Sequence, residues 1–188
     1  IYYLYIMEDL QNRLDKLKND FYKDNKKNTF FKNKQKLQCA EVIANNIDIN
    51  TLLDNTFIIK NNKIIVQYPI LKTYANYENF QILINKIFYI VNNLKLQYTT
   101  FELHVNMDTY TITAHERFKH MYNMFFELDR ANNVVFCDKL INVVIYNSPS
   151  ILSTLASFFT SLIKTDLSGK VTILTKKDTK DLFKKLIE

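Results

Sequence analysis

The sequence predicts an α/β protein: a mostly parallel mixed sheet flanked by helices, behind an N-terminal helical extension. Three observations lead there. From about Phe57 onward, short β-branched runs alternate with stretches of helical hydrophobic period. Before that point only the helical period is found. The 188 residues are 47% hydrophobic and 14% aromatic, enough for one globular core with an extension, which divides the chain into 1–54 and 55–188.

In the extension, Leu10, Leu14, Leu17 and Phe21 step by four, three and four, so they share one side of a helix. This stripe is too apolar to stay in water and requires a docking surface, in the same chain or on a protein partner. Lys23 to Lys36 is basic and Asn-rich, and reads as a linker anchored by Phe30 and Phe31. It leads into a second helix through Leu37, Ala40, Ile43 and Ile47. An aromatic pair among Lys26, Lys27, Lys32, Lys34 and Lys36 also suits base stacking, but the solvated linker is the commoner case and nucleic acid is the less favoured partner.

Two β-rich runs, Phe57 to Lys60 and Lys63 to Val66, joined by Asn61-Asn62, predict a hairpin whose turn tolerates positive φ. Pro69 restricts the second strand to an edge or ends it. Asn76 is positioned to cap a helix with the stripe Phe80, Leu83, Ile84, Ile87, Phe88, Val91 and Leu94. Phe101 to Val105 alternates as a strand, with Glu102 and His104 opposite Phe101, Leu103 and Val105. Thr113 and Glu116 have capping-box spacing for a helix carrying Phe118, Met121, Tyr122, Phe125 and Leu128.

Ile141 to Tyr146 is a strand-length run ended by Asn147 and Ser148, after which Ser148 caps a helix starting at Pro149. Its stripe is Leu152, Leu155, Phe158, Phe159, Leu162 and Ile163. Gly169 turns the chain into a short buried strand, Lys170 to Leu174, and Asp178 caps a terminal helix with Leu182, Phe183, Leu186 and Ile187. Ile141 to Ile163 carries no charge and is long enough for a bilayer. The Asn-Ser-Pro break argues against a span, since it leaves backbone groups unpaired in hydrocarbon.

Strand, Asn-small-Pro, apolar helix, short turn and Lys-apolar strand together resemble the CRAL-TRIO lipid-transfer family. The matching residues are Asn147-Ser148-Pro149 and Lys170-Val171, with Phe136 to Leu140 upstream and Asp181-Leu182-Phe183 downstream. The resemblance runs from about Phe57 to the C-terminus. It implies a non-enzymatic domain that encloses a lipid between the sheet and a mobile apolar helix. Pocket and gate would be Ile145, Leu152, Leu155, Phe158, Phe159 and Leu162, the hinge Asn147, Ser148 and Pro149, and the headgroup contacts Lys170 and Ser168. Leu167 stands where lipid-phosphate binders of the family carry a hydroxyl, and the chain given ends before the family's usual final Gly-Gly segment. The alternative is a structural or protein-interaction module, such as a virion component, that keeps the fold without a lipid.

Composition narrows the remaining classes. A single Gly rules out a glycine-rich phosphate loop and the dinucleotide fingerprint. Cys39 and Cys137 lack metal-type spacing and fit a reducing compartment. His115 and His120 are five apart, not the four that two zinc ligands need on one helix face, and neither metal nor cofactor is expected beyond a bound lipid. Asp108 reads as a turn residue. Net charge +6 is spread over Lys-rich segments and selects no partner by itself. Abundant Lys, Asn, Ile and Tyr point to an A+T-rich coding sequence, as in a large DNA virus. Residues 1–6 lack the basic flank of a signal peptide, so a native start at Met7 or a fragment is expected. The localisation expected is cytoplasmic at a membrane periphery, or in a virion.

Overall fold

A computed structural model describes residues 2–131, 139–149, 169–179 and 182–187. The order is α1 (Tyr2–Asp24), α2 (Lys32–Asn46), α3 (Ile49–Thr56), β1 (Phe57–Lys60), β2 (Lys63–Gln67), α4 (Tyr68–Tyr74), α5 (Phe80–Gln97), β3 (Phe101–Asn106), α6 (Ile112–Ala131), β4 (Leu140–Ser148), β5 (Val171–Thr175), α7 (Lys176–Thr179) and α8 (Leu182–Ile187). The sheet runs β1-β2-β3-β4-β5. Only the β1–β2 hairpin is antiparallel, and Asn61 makes its turn at φ 55°.

Neighbours in space are neighbours in sequence, so each crossover steps the same way. Crossovers of one hand then put their helices on one face of the sheet. The side chains obey this. Ile64, Phe101, Val143 and Ile145 point into a single core with Phe80, Leu83, Ile90, Leu94 and Phe118 from the crossover helices. Leu10, Leu14, Cys39, Ile43 and Ile47 join the same core, so the α1 stripe finds its docking surface within the chain.

Several local expectations are corrected. Phe30 and Phe31 anchor nothing: they are 94% and 67% exposed. α3 and α4 fill segments where no helix was expected, α3 because Asp48 accepts the Thr51 N–H as an N-cap, α4 because Pro69 sits in a first helical turn. Pro69 therefore ends β2 without making it an edge. Asn79, not Asn76, stands at the start of α5, and Asn76 braces the preceding turn through Glu78 N–H. At α6 the cap is Thr111, whose Oγ1 accepts from Ala114 N–H at 3.2 Å, while Thr113 only meets Thr111. β4 continues through Asn147 to Ser148, so the strand does not stop at Tyr146. β5 is an edge strand with Ile173 41% exposed, not a buried one.

Because Leu140–Ser148 is a strand, Ile141 to Ile163 is not one spanning helix. Among the described residues no helix is long and apolar enough to cross a membrane.

Candidate functional site, a basic pocket at the carboxyl ends of the strands

Of the residues implied by the resemblance, Leu152, Leu155, Phe158, Phe159, Leu162 and Ser168 lie outside the described residues. Ile145 is buried in the main core, between Val105 on β3 and Ile173 on β5. Asn147 has φ 53° and is pinned twice, its N–H donating to Thr179 Oγ1 at 2.9 Å and its amide donating to Asn106 Oδ1 at 2.8 Å. Ser148 Oγ donates to the Pro149 carbonyl at 3.2 Å, and the helix it was expected to cap lies outside the described residues.

Lys170 lies at the other end of the sheet. Its Nζ donates to the carbonyl of Leu140, the first residue of β4, at 3.3 Å. Seven residues of strand, roughly 23 Å at ~3.3 Å each, separate that end from Asn147. The structure therefore does not bring the hinge and this headgroup candidate together.

The carboxyl ends of β2 and β3 carry a different site. In parallel sheets these ends, with the loops and helices that follow, are where ligands bind. Directly after β2 come Tyr68, Lys72 and Thr73 on α4. After β3 come Thr109, Thr111, Ala114 and Arg117 at the amino end of α6. The α1–α2 hairpin closes the third side with Lys18, Tyr22, Lys36, Cys39 and Ile43. The cavity between them is about 220 Å³.

Its electrostatics are one-sided. Arg117 is only 8% exposed, its guanidinium lies 4.6 Å from the Phe118 ring beside Tyr68, and its Nε has no hydrogen-bond partner. Among the described residues neither Arg117, Lys18, Lys36 nor Lys72 ion-pairs with a carboxylate. Lys72 donates to Thr109 Oγ1, and Thr109 is held at φ 64°, a conformation a β-branched residue seldom takes. Asp108, which adjoins Thr109, is engaged by Lys176 at 2.9 Å, and with Asp15 it acts on Lys72 in the opposite sense to burial.

Burial lowers the pKa of Lys36, and Arg117, Lys32, Lys72 and Lys18 lower it further. Burial does the same to Lys72, with Lys18 the next contributor. The amino end of the 20-residue α6 adds the positive end of its dipole, about half a charge. The Tyr68 hydroxyl is pushed up to about 12 by burial, and burial likewise raises the Cys39 thiol. These groups stay protonated at neutral pH, so the pocket offers donors and positive charge and no ready base.

A second polar cluster occupies the opposite face of the sheet. Lys63 Nζ meets Glu102 Oε1 at 2.7 Å, Asn142 donates to Oε2 at 3.3 Å, and His104 Nε2 is 3.3 Å from Oε2. His104 Nδ1 is 3.0 Å from Tyr146 OH, and the Tyr146 ring lies against Phe183 of α8. With Nε2 facing the carboxylate, the neutral imidazole keeps its proton there and accepts from Tyr146. His115 is buried against Tyr110 OH at 3.0 Å, whereas His120 lies on the exposed side beside Tyr77.

Sequence reasoning named Lys36 only as part of a basic run and missed Lys18, Tyr22, Tyr68, Lys72 and Arg117. The available signal was positional: cations in the first turns after β2 and β3, where a parallel sheet places its ligands. Neither a protein-family model nor a curated protein or solved structure matches this chain.

Proposed function

We propose that this chain is a non-enzymatic binding domain of CRAL-TRIO-like architecture that holds a phosphate-bearing ligand in the pocket of Lys18, Lys36, Lys72 and Arg117. The observation that carries this is the buried Arg117 without an acid. A buried cation without an acid is costly, and a dianionic oxygen cluster supplies the missing negative charge and an acceptor for Nε, beyond the Tyr68 hydroxyl that Arg117 meets and the Thr109 hydroxyl that Lys72 meets. The Thr111 and Tyr68 hydroxyls are further donors on the same walls, while Thr109 spends its proton on the Asp108 carbonyl. A cavity of about 220 Å³ is small beside the ~300–1,000 Å³ of drug-sized sites, which favours a compact phosphate group over an enclosed acyl chain.

The CRAL-TRIO-like part rests on order. The strand before Asn147-Ser148-Pro149 and the strand after Lys170 pair in parallel as β4 and β5, as the resemblance implies. The non-enzymatic part rests on a pocket whose thiol and phenols are raised in pKa and whose other ionisable groups are cations.

Calorimetric titration of the full chain with inorganic phosphate and pyrophosphate tests the reading. Pyrophosphate is expected to bind the more tightly. Arg117→Gln is expected to weaken it by about ten- to a hundredfold, the range of a charge-assisted hydrogen bond. Absence of binding to the unmodified chain at low salt overturns it.

A second reading, a protein-interaction module that keeps the fold without a lipid, draws on the burial of Phe101, Leu140, Val143 and Ile145 in one packed core. Organic extraction followed by mass spectrometry separates the two. A co-purified phospholipid favours binding, and its absence together with absent phosphate binding favours the module.

A further inference from the structure

The α1–α2 hairpin that walls the pocket ends in a built loop. Asn28 Oδ1 accepts from the N–H groups of both Phe30 and Phe31 at 2.9 Å. Gln35 reaches back from α2, accepting from Asn28 N–H and donating to the Lys26 carbonyl, each at 2.9 Å. This bracing holds two adjacent phenylalanines outward at 94% and 67% exposure. Leaving two such rings in water forgoes the stabilisation their burial would give. Lys23, Lys26, Lys27, Lys32 and Lys34 flank the pair along the chain, all exposed, and only Lys23 meets an acid, Asp20 at 3.2 Å, among the described ion pairs.

Loop and pocket are continuous. Tyr22 and Lys36 line the cavity, Lys27 Nζ lies 5.8 Å over the Tyr22 ring, and the Gln35 that braces the tip adjoins Lys36. An exposed apolar pair flanked along the chain by exposed lysines suits the interface of an anionic bilayer. The rings enter the headgroup and acyl boundary while the lysine stems snorkel and their charges meet lipid phosphates. A single strand of nucleic acid fits less well, because its binders track the backbone along a groove that carries the stacking rings, and here the rings sit on a tip.

Resting on the phosphate reading above, we infer that the phosphate is presented by a membrane. The Phe30–Phe31 tip seats the domain in an anionic bilayer interface, and the adjoining pocket takes the phosphate of a lipid headgroup. This moves the membrane contact from the segment after Pro149 to the N-terminal hairpin.

Co-sedimentation of the full chain with vesicles of phosphatidylcholine alone, and with added phosphatidylserine or a phosphoinositide, is the test. Binding is expected on the anionic vesicles and not on phosphatidylcholine alone. The double variant Phe30→Ser, Phe31→Ser alters only exposed side chains, so it is expected to fold. It should lose vesicle affinity by about tenfold or more, while its calorimetric affinity for pyrophosphate is unchanged. Arg117→Gln should do the reverse, losing pyrophosphate while retaining part of the vesicle adsorption.

If the unmodified chain binds pyrophosphate but ignores anionic vesicles, the membrane inference falls and the phosphate reading stands. If it adsorbs to vesicles but binds no pyrophosphate, the phosphate reading falls, and with it the assignment of a lipid phosphate to the pocket. Equal vesicle binding by the unmodified and double-variant chains overturns the role of the tip. Retention of a single-stranded oligonucleotide that the double variant alone abolishes, without vesicle binding, replaces the membrane with nucleic acid.

Discussion

The second face of the sheet and the carboxyl-end pocket both withdraw charge from water, but they balance it differently. On the second face the charges of opposite sign meet: Lys63 and Asn142 serve Glu102, and Tyr146 meets His104 Nδ1, while His104 Nε2 lies 3.3 Å from the Glu102 carboxylate without an aligned hydrogen bond. In the pocket, Lys18, Lys36, Lys72 and Arg117 face one another and find hydroxyls and rings. A self-satisfied cluster contributes to folding and asks for nothing further. A cluster of like charge is stable only at a cost that a ligand can relieve, which is the ground on which the unbalanced region is proposed as the binding site.

The largest expected effect comes from loosening a pocket wall without touching any charge. Leu14 is 1% exposed on α1, one turn before Lys18. Leu14→Ala should cost about 2–5 kcal/mol in urea unfolding, by lost transfer energy plus a cavity. Pyrophosphate affinity should fall as well, because α1 carries Lys18 and Tyr22. The second face, built from β2, β3 and β4, should keep its His104 titration by NMR. A change in that titration would show that the two regions are not independent.

Next come paired substitutions of opposite sign. Glu102→Gln leaves Lys63 without its counter-charge and should destabilise the fold by about 1–3 kcal/mol. Arg117→Met removes an unpaired buried cation and should raise the stability of the ligand-free protein by about 1 kcal/mol, while abolishing much of its anion affinity. Thermal melts of both variants, with and without pyrophosphate, check this. Loss of stability in ligand-free Arg117→Met would mean that the guanidinium already has a sufficient partner.

Much of the fold was legible because it rests on local pattern. The hairpin at Asn61-Asn62, the stripe of α5 and the alternation of β3 are written in periods of two and of three to four. Element ends were harder, since Thr111 and Thr113 are equally good caps on paper and only the chain path from Met107 through Tyr110 makes Thr111 the acceptor. Phe30 and Phe31 were misjudged for a related reason: hydrophobic residues are normally buried, and exposure at a tip is decided by Asn28 and Gln35, neither of which is hydrophobic. The pocket was least legible. Lys18, Lys36, Lys72 and Arg117 come from four helices, and no spacing in the sequence brings such positions together.

At acid pH the balanced cluster should fail first. Burial lowers the His104 pKa below its ordinary 6.5, so the folded state keeps it neutral while the unfolded state takes a proton. Burial pushes Glu102 up, but hydrogen bonds from Lys63 and Asn142 outweigh that and hold it below 4.5. In both cases the unfolded chain binds more protons, so stability falls as pH drops below 6.5 and again below 4.5. His104→Phe should reduce the first part of that fall, leaving the contribution of His115, whose pKa burial also lowers. A urea midpoint independent of pH between 7 and 5 would contradict it.

The smallest effect, and the sharpest test of imbalance, lies at alkaline pH. Lys36 and Lys72 have folded pKa values below 10.5, through burial and through Arg117, Lys18 and Lys32, with Asp108 and Asp15 acting the other way on Lys72. As pH rises through those values toward 10.5, the folded protein sheds protons that the unfolded chain still holds. These two lysines therefore contribute stability that rises in that window as their mutual repulsion is relieved, against the falling contribution of Cys39 and the buried tyrosines, whose pKa values burial raises. Anion affinity must move oppositely, because each lost proton removes an attraction, and by linkage a bound phosphate raises both lysine pKa values. Urea unfolding across pH 8 to 10, with and without saturating pyrophosphate, should give a more positive slope without ligand than with it. Lys36→Met with Lys72→Met should remove that difference. Parallel slopes in the presence and absence of pyrophosphate would mean that these lysines do not meet the anion, and the pocket would then be only a cleft between helices.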